Sequence, residues 1–152
     1  MEIQIIEATL NDAAEILALQ KVAYQSEAEL YRDWTIPPLT QTLCQIEGEF
    51  DTKTFLKALQ SDRIVGSVRT SLDRGTCVIG RLIVHPDCQG KGIGTQLMLR
   101  IETMFPHAER FELFTGGQSR RNIRLYERLG YRIFREENLS PNLQIVFMEK
   151  RR

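Results

Sequence analysis

The stretch LIVHPDCQGKGIGT, residues 82–95, decides the reading of this chain. Leu82, Ile83 and Val84 form the apolar end of a strand, and His85 and Pro86 halt it. Gly90, Gly92 and Gly94 follow, and from Ile93 onward apolar residues recur at Leu97, Ile101 and Met104 until Pro106 closes the pattern. That spacing predicts strand, glycine-rich turn and helix in succession. Glycines let a backbone approach a ligand closely, and free N–H groups at a helix N-terminus point at anions. A phosphate or pyrophosphate is the natural ligand of such a turn, although glycines also simply make turns. Two phosphate motifs fail the test. A Walker A loop needs Gly-x4-Gly-Lys-Ser/Thr, but Lys91 is followed by Gly92 and position 85 is His. The dinucleotide fingerprint needs Gly-x-Gly-x-x-Gly, and counting from Gly90 its last position is Thr95.

Upstream of this turn, the spacing predicts an antiparallel meander. Thr52–Leu59 is turned by Gln60–Arg63 into Ile64–Thr70, and Asp73–Gly75 turns that into Thr76–Val84. Further upstream, Met1–Glu7 alternates like a strand. Thr9 and Asp12 then stand where a capping box would, ahead of a helix marked by Ala13, Ile16, Leu17, Leu19, Gln20 and Tyr24. Ser26–Asp51 is the least regular stretch, broken by Pro37 and Pro38, with a short helix expected at Leu39–Ile46. Downstream, Phe111–Phe114 reads as a strand, Ser119–Leu129 as a helix closed by Gly130, and Tyr131–Phe134 and Leu143–Met148 as the last strands. Hairpins mixed with crossovers predict an α+β protein whose mixed sheet is covered on both faces.

The chain has 152 residues, 42% hydrophobic and 26% charged, which suits a single domain over residues 1–152. Twenty basic residues balance twenty acidic ones, giving a formal net charge of zero. That argues against a protein that coats nucleic acid or an anionic membrane. No run approaches the ~18 apolar residues of a membrane span, and the alternating start is not a signal peptide. Cys44, Cys77 and Cys88 lack CxxC spacing, and the two histidines are far apart, so no metal site is expected. The cysteines read as buried reduced thiols, and a reducing cytoplasm is the expected setting.

Gln89, Gly92 and Gly94 match the pattern Gln/Arg-x-x-Gly-x-Gly/Ala, and the run resembles the acyl-CoA-binding motif of the GNAT superfamily of N-acetyltransferases. About thirty residues later, Asn122-x-x-x-Tyr126 followed by Gly130-Tyr131 is similar to that family's second signature. The opening Glu7–Asp12 and the order of elements agree, so the resemblance covers nearly the whole chain. It implies a three-layer α/β/α fold with a mixed, mostly antiparallel sheet of six or seven strands and about four helices. It also implies acetyl-CoA as cosubstrate, no metal, and an amine acceptor, either a small molecule or a peptide. Relatives often form dimers, so a homodimer is compatible with it.

By this resemblance, the pyrophosphate of coenzyme A lies on the amides of Gln89, Gly90, Lys91, Gly92, Ile93, Gly94 and Thr95. A helix dipole stabilises such charge by about 0.3–2 kcal/mol. The pantetheine arm runs beside Leu82, Ile83 and Val84, where the neighbouring strand splays away. A backbone amide of that strand polarises the thioester carbonyl, and Tyr126 matches the proton donor to the leaving thiolate. A phenol of pKa about 10 is protonated at neutral pH without special tuning. Asn122 lies four residues before Tyr126 on one helix face and reaches the cofactor. The base stays open among Glu112, Glu47, Glu49 and water, because Gly80 and Arg81 stand where some relatives carry a carboxylate.

Charge is also segregated along the chain. Residues 27–51 hold Glu27, Glu29, Asp33, Glu47, Glu49 and Asp51 against Arg32, whereas residues 110–135 hold seven arginines. The acidic segment, with Tyr31 and Trp34, lies where the family builds its acceptor pocket, and it favours a cationic small molecule. A protein N-terminus or lysine is the alternative acceptor. A non-catalytic acyl-CoA-binding module on the same fold is the alternative function.

Overall fold

A computed structural model describes residues 2–152; Met1, with which the expected first strand begins, lies outside the described residues. Seven strands form one sheet: β1 (Gln4–Glu7), β2 (Thr54–Gln60), β3 (Arg63–Asp73), β4 (Thr76–Val84), β5 (Arg110–Gly116), β6 (Arg132–Ser140) and β7 (Leu143–Arg151). Their spatial order is β1-β2-β3-β4-β5-β7-β6, and every pair is antiparallel except β4 with β5. The expected α+β architecture and its mixed sheet are thus present.

Among the described residues there are six α-helices rather than about four: α1 (Ala13–Ala23), α2 (Gln25–Tyr31), α3 (Pro37–Thr40), α4 (Leu43–Glu49), α5 (Ile93–Met104) and α6 (Arg120–Arg128). The extra helices come from the irregular segment. Pro37 and Pro38 occupy the first turn of α3, where a missing N–H costs nothing. The helix expected at Leu39–Ile46 is split because Thr42 caps α4, its hydroxyl accepting from Gln45 N–H at 3.2 Å while Gln45 Oε1 accepts from Thr42 N–H at 2.9 Å. Before α1, the Asp12 carboxylate accepts from Thr9 N–H at 2.9 Å and pairs with Lys57.

The sheet is packed on both sides. On one face, Leu97, Met98 and Ile101 of α5 meet Val65, Val68, Phe111, Leu113, Val146 and Met148, with Tyr126 of α6 in the same core. On the other, Ile16, Leu17 and Leu19 of α1 and Ile46 of α4 cover Phe55, Ile64 and Ile83. Burial of each such aliphatic side chain contributes about 1.5–3 kcal/mol. β6 runs to Ser140, well past the expected Phe134, and each of its residues is exposed. An edge strand open to water has no need of alternating hydrophobicity, so the sequence pattern gives no sign of its length. Cys77 and Cys88 are buried but Cys44 is exposed on α4, contrary to the expectation of three buried thiols.

Candidate active site

The site arises where two parallel strands part. β4 and β5 pair only through Thr76–Val78 and Arg110–Glu112; beyond that point β5 continues with β7 to Gly116, while β4 runs on to Val84 alone on that side. The backbone edge of β4 from Ile79 to Val84 is left without a strand partner. Opposite it, the pairing of β4 with β3 slips, so that Arg81 and Leu82 both face Val68. Arg81 has φ 50°, in the left-handed region, and marks the bulge.

The gap opens into a cleft of about 650 Å³. Its floor is Leu82, Ile83 and Val84, and its far end is the turn Gln89–Thr95. Gly90 and Gly92 have φ 79° and 81°, and a Cβ on either would meet nothing within 4 Å, so the turn presents bare backbone to open space. Gly92 is the N-cap of α5, whose first amides lack intrahelical partners. Gly94 is the second residue of α5, where a Cβ would lie 3.4 Å from Leu125 of α6. Gln89 spans the two motifs: its amide donates to Val84 C=O at 3.4 Å, and Arg121 donates to its Oε1 at 2.5 Å. Arg120, Arg121 and Arg128 line the same end. Lys91 is exposed and is not part of the lining, so the positive charge at this end comes from α6 instead.

Asn122 lies on the cleft wall with Tyr24 and Glu27. Glu27 was legible only as part of an acidic segment. In the fold its carboxylate accepts from Ser119 Oγ at 2.6 Å and from Asn122 Nδ2 at 3.2 Å, which joins α2 to the start of α6. Tyr31 completes this joint, accepting from Gln118 N–H at 2.8 Å and sharing a 3.2 Å hydrogen bond with Ser119 Oγ. The joint depends on Gly116 and Gly117. A Cβ on Gly116 would lie 2.6 Å from Tyr31 Cζ and closer still to its hydroxyl, and one on Gly117 would lie 2.9 Å from Gln144 Oε1.

Tyr126 stands behind the lining rather than in it, 6% exposed, and no group among the described residues hydrogen-bonds its hydroxyl. Burial pushes its pKa well above the ordinary phenol value, with the neighbouring Tyr24 and Glu27 adding to the shift, so it stays protonated. The end of α6 fixes its place. Tyr131 N–H donates to Tyr126 C=O and Gly130 N–H to Glu127 C=O, each at 3.0 Å, with Gly130 at φ 99°. This Schellman closure brings the Tyr126 and Tyr131 rings to 6.1 Å. It gives a physical reason for the Asn-x-x-x-Tyr and Gly-Tyr pattern.

None of the three candidate bases lines the cleft. Glu112 pairs with Arg110 at 2.6 Å on the opposite side of β5 from the core residues Phe111 and Leu113. Its alternation was legible, but the face it selects is not the one that opens into the cleft. Glu47 is exposed on α4. Glu49 is bonded to Arg69 at 2.9 Å and Lys53 at 2.7 Å, and to Gln41. Burial alone would raise its pKa, but these partners hold it below the ordinary carboxylate range. Of the six acidic residues in 27–51, only Glu27 reaches the cleft; Trp34 is exposed and Tyr31 buried in the joint. Among the described residues, no group of three or more His, Cys, Asp or Glu is placed to hold a metal, and no helix is long and apolar enough to cross a membrane.

Comparison with known proteins agrees with this geometry. Residues 14–131 match the family described as "Acetyltransferase (GNAT) family". The chain is 30% identical over 125 residues to the UPF0157 protein YqkA of Bacillus subtilis, covering 82% of this chain and 35% of that protein. It is 29% identical over 121 residues to a mycothiol acetyltransferase of Kineococcus radiotolerans, covering 79% of this chain and 39% of that one. The chain thus spans little more than a third of the length of these relatives. In fold it resembles the PaiA N-acetyltransferase of Thermoplasma acidophilum, solved in complex with coenzyme A, with TM-score 0.82, 17% identity and full coverage of both chains. It also resembles the ribosomal-protein-S18-alanine N-acetyltransferase of Escherichia coli, with TM-score 0.84, 14% identity and coverage of 99% and 94%.

Proposed function

Because the chain belongs to the GNAT acetyltransferase family, we propose that it is an N-acetyltransferase that moves an acetyl group from acetyl-CoA to a primary amine by direct attack in a ternary complex. The observation that carries this reading is the unpaired edge of β4 running straight into the bare amides of the glycine turn. That edge suits the amide-bearing arm of coenzyme A, as an added strand would, and the turn with Arg120, Arg121 and Arg128 suits its pyrophosphate. We assign cofactor contacts to Leu82, Ile83, Val84, Gln89, Gly90, Gly92, Ile93, Gly94, Thr95 and Asn122, with Lys91 at the rim. Acetyl-CoA supplies a thioester: the amine forms the C–N bond, the C–S bond breaks, and the thiolate takes a proton.

The chain's own groups then have separable tasks. Tyr126, held protonated by burial, keeps a proton at Oη for the leaving sulfur. A β4 backbone amide beside the bulge offers a donor to the thioester oxygen. Glu27 is the carboxylate on the cleft wall, and it supports an acceptor that arrives as its ammonium cation and loses a proton there. The acceptor in this reading is a small molecule. The unpaired cysteines support a reducing, cytoplasmic setting.

Isothermal titration with acetyl-CoA, followed by thiol-release assays over panels of small amines and peptides, tests the proposal. Binding with release that depends on a small amine supports it. Binding without release for any acceptor would leave the protein a non-catalytic acyl-CoA-binding module, and absence of binding would end the proposal.

A further inference from the structure

A second depression, of about 380 Å³, lies beside the cleft at the end of the β6–β7 hairpin. Four side-chain carboxamides converge on it from separate segments: Gln118 from the loop after β5, Asn138 from β6, Asn142 from the hairpin turn and Gln144 from β7. Local structure brings them together. Asn138 and Gln144 are register partners across the hairpin, which sets their Cβ atoms about 4.5–5.5 Å apart. Just beyond that pair the register slips at Leu139, and Pro141 and Asn142 turn the chain back into β7. Gln118 is held by its backbone, whose N–H donates to the Tyr31 hydroxyl at 2.8 Å, while Gly117 N–H donates to Gln144 C=O at 2.7 Å.

Seven residues line the depression and none is charged. Ser140 adds a hydroxyl, and Leu139 and Pro141 add apolar surface. Among the described residues, no hydrogen bond of the fold uses the side chain of Gln118, Asn138, Asn142 or Gln144. A carboxamide both donates and accepts, so this group meets neutral polar partners in either direction. An ionic body would lose water here without gaining a counter-charge, and a purely apolar one would strand the amides. A ring that carries hydroxyl groups satisfies both demands, and its C–H face suits Leu139 and Pro141. The volume lies at the lower end of small-molecule sites.

Gln118 lines both the depression and the cleft. The next residue, Ser119, donates its hydroxyl to the Glu27 carboxylate at 2.6 Å. One molecule therefore spans the two spaces with its amine at Glu27 and its body over Gln118. We propose that the depression is the distal half of the acceptor site, and that the acceptor is an amine on a neutral, hydroxyl-bearing ring, an amino sugar rather than a polyamine. Asn138, Asn142 and Gln144 are then specificity-determining residues. This inference rests on the acetyl-transfer reading above and names the substrate class within it.

The test uses the full chain, with acetyl-CoA for thiol release and with coenzyme A for calorimetry. The probes are glucosamine, galactosamine, cyclohexylamine (the ring without hydroxyls) and spermidine. At least one amino sugar should react with kcat/KM about 10- to 100-fold above cyclohexylamine and spermidine. Asn142→Ala should raise KM for that sugar about 3- to 10-fold, the worth of one neutral hydrogen bond, with kcat and acetyl-CoA affinity unchanged. Gln144→Glu, which removes donors and adds charge, should weaken the sugar and improve spermidine. Both residues are exposed, so the urea midpoints of the two variants should stay near the parent value. Cyclohexylamine or spermidine turned over as well as both sugars overturns the inference and leaves acetyl transfer standing, as does an unaltered KM in Asn142→Ala. Sugar binding that needs Asn142 but releases no thiol supports the depression and instead refutes the acetyl-transfer reading. Absence of binding by either sugar overturns the inference whatever the other amines do.

Discussion

Gly116→Ala probes the joint that closes the cleft. The new methyl would lie 2.6 Å from Tyr31 Cζ and 2.8 Å from Ser119 Oγ, with the Tyr31 hydroxyl nearer still. None of these atoms is free to retreat. The Tyr31 hydroxyl accepts from Gln118 N–H, and Ser119 is bonded to both Tyr31 and Glu27. Tyr31 is 4% exposed, so displacing it also disturbs packing. Overpacking costs about 1–3 kcal/mol, and stranding a buried polar group adds about 1–3 kcal/mol. The sum predicts a loss of about 2–6 kcal/mol, read as a lower urea midpoint at unchanged m-value. Tyr31→Leu, which shortens the obstructing side chain, should cost about 2–4 kcal/mol alone. Combined with Gly116→Ala, it should cost less than the two single changes added together, because the methyl then has room. Glu27 should also lose its position, so kcat should fall in Gly116→Ala under conditions where the protein stays folded. A Gly116→Ala protein within 1 kcal/mol of the parent, or strictly additive with Tyr31→Leu, would refute the reasoning.

Other expectations follow from single features. Tyr126→Phe should lower kcat by about 10²–10⁴-fold while leaving acetyl-CoA affinity nearly unchanged, measured by steady-state kinetics beside calorimetry; undiminished turnover would remove its proton-donor role. Gly92→Val forces a β-branched residue to φ 81° and puts a side chain over the bare turn, so acetyl-CoA affinity should fall at least about 10-fold, with a fold cost of about 1–2 kcal/mol. Tyr126 and Tyr131 have pKa values raised in the fold above the unfolded phenol value, in each case first by burial. Above about pH 10 the unfolded chain binds fewer protons than the folded one, so their contribution is intact below that pH and declines above it. Urea midpoints measured across the alkaline range should show this decline, and it should be smaller in Tyr126→Phe.

Much of the site was legible because its physics is local. The glycines, the helix start after them and the Asn122–Tyr126 spacing all act within one turn of backbone, and each takes the predicted place along the chain. Tyr126 is the partial exception, since its burial depends on the Schellman closure and on the packing of α6 against β5 and β7. What escaped depends on pairing between distant segments. The free edge of β4 exists because β5, paired with β7 along its whole length, stays beside β4 for only three residues, and no spacing within either strand records that divergence. The bulge at Arg81 was hidden because a left-handed residue there is not glycine. Glu27 and Glu49 looked alike in a run of acids, yet one reaches Asn122 and the other is consumed by Arg69 and Lys53.

Backbone amide hydrogen exchange with and without acetyl-CoA tests the central claim most directly, because it locates the bound molecule as well as detecting it. The account predicts protection concentrated in Ile79–Val84 of β4 and in Gly90–Thr95, with little change in β1, β2 or β6. Protection that bypasses the β4 edge and the glycine turn, or no protection at saturating acetyl-CoA, would contradict it.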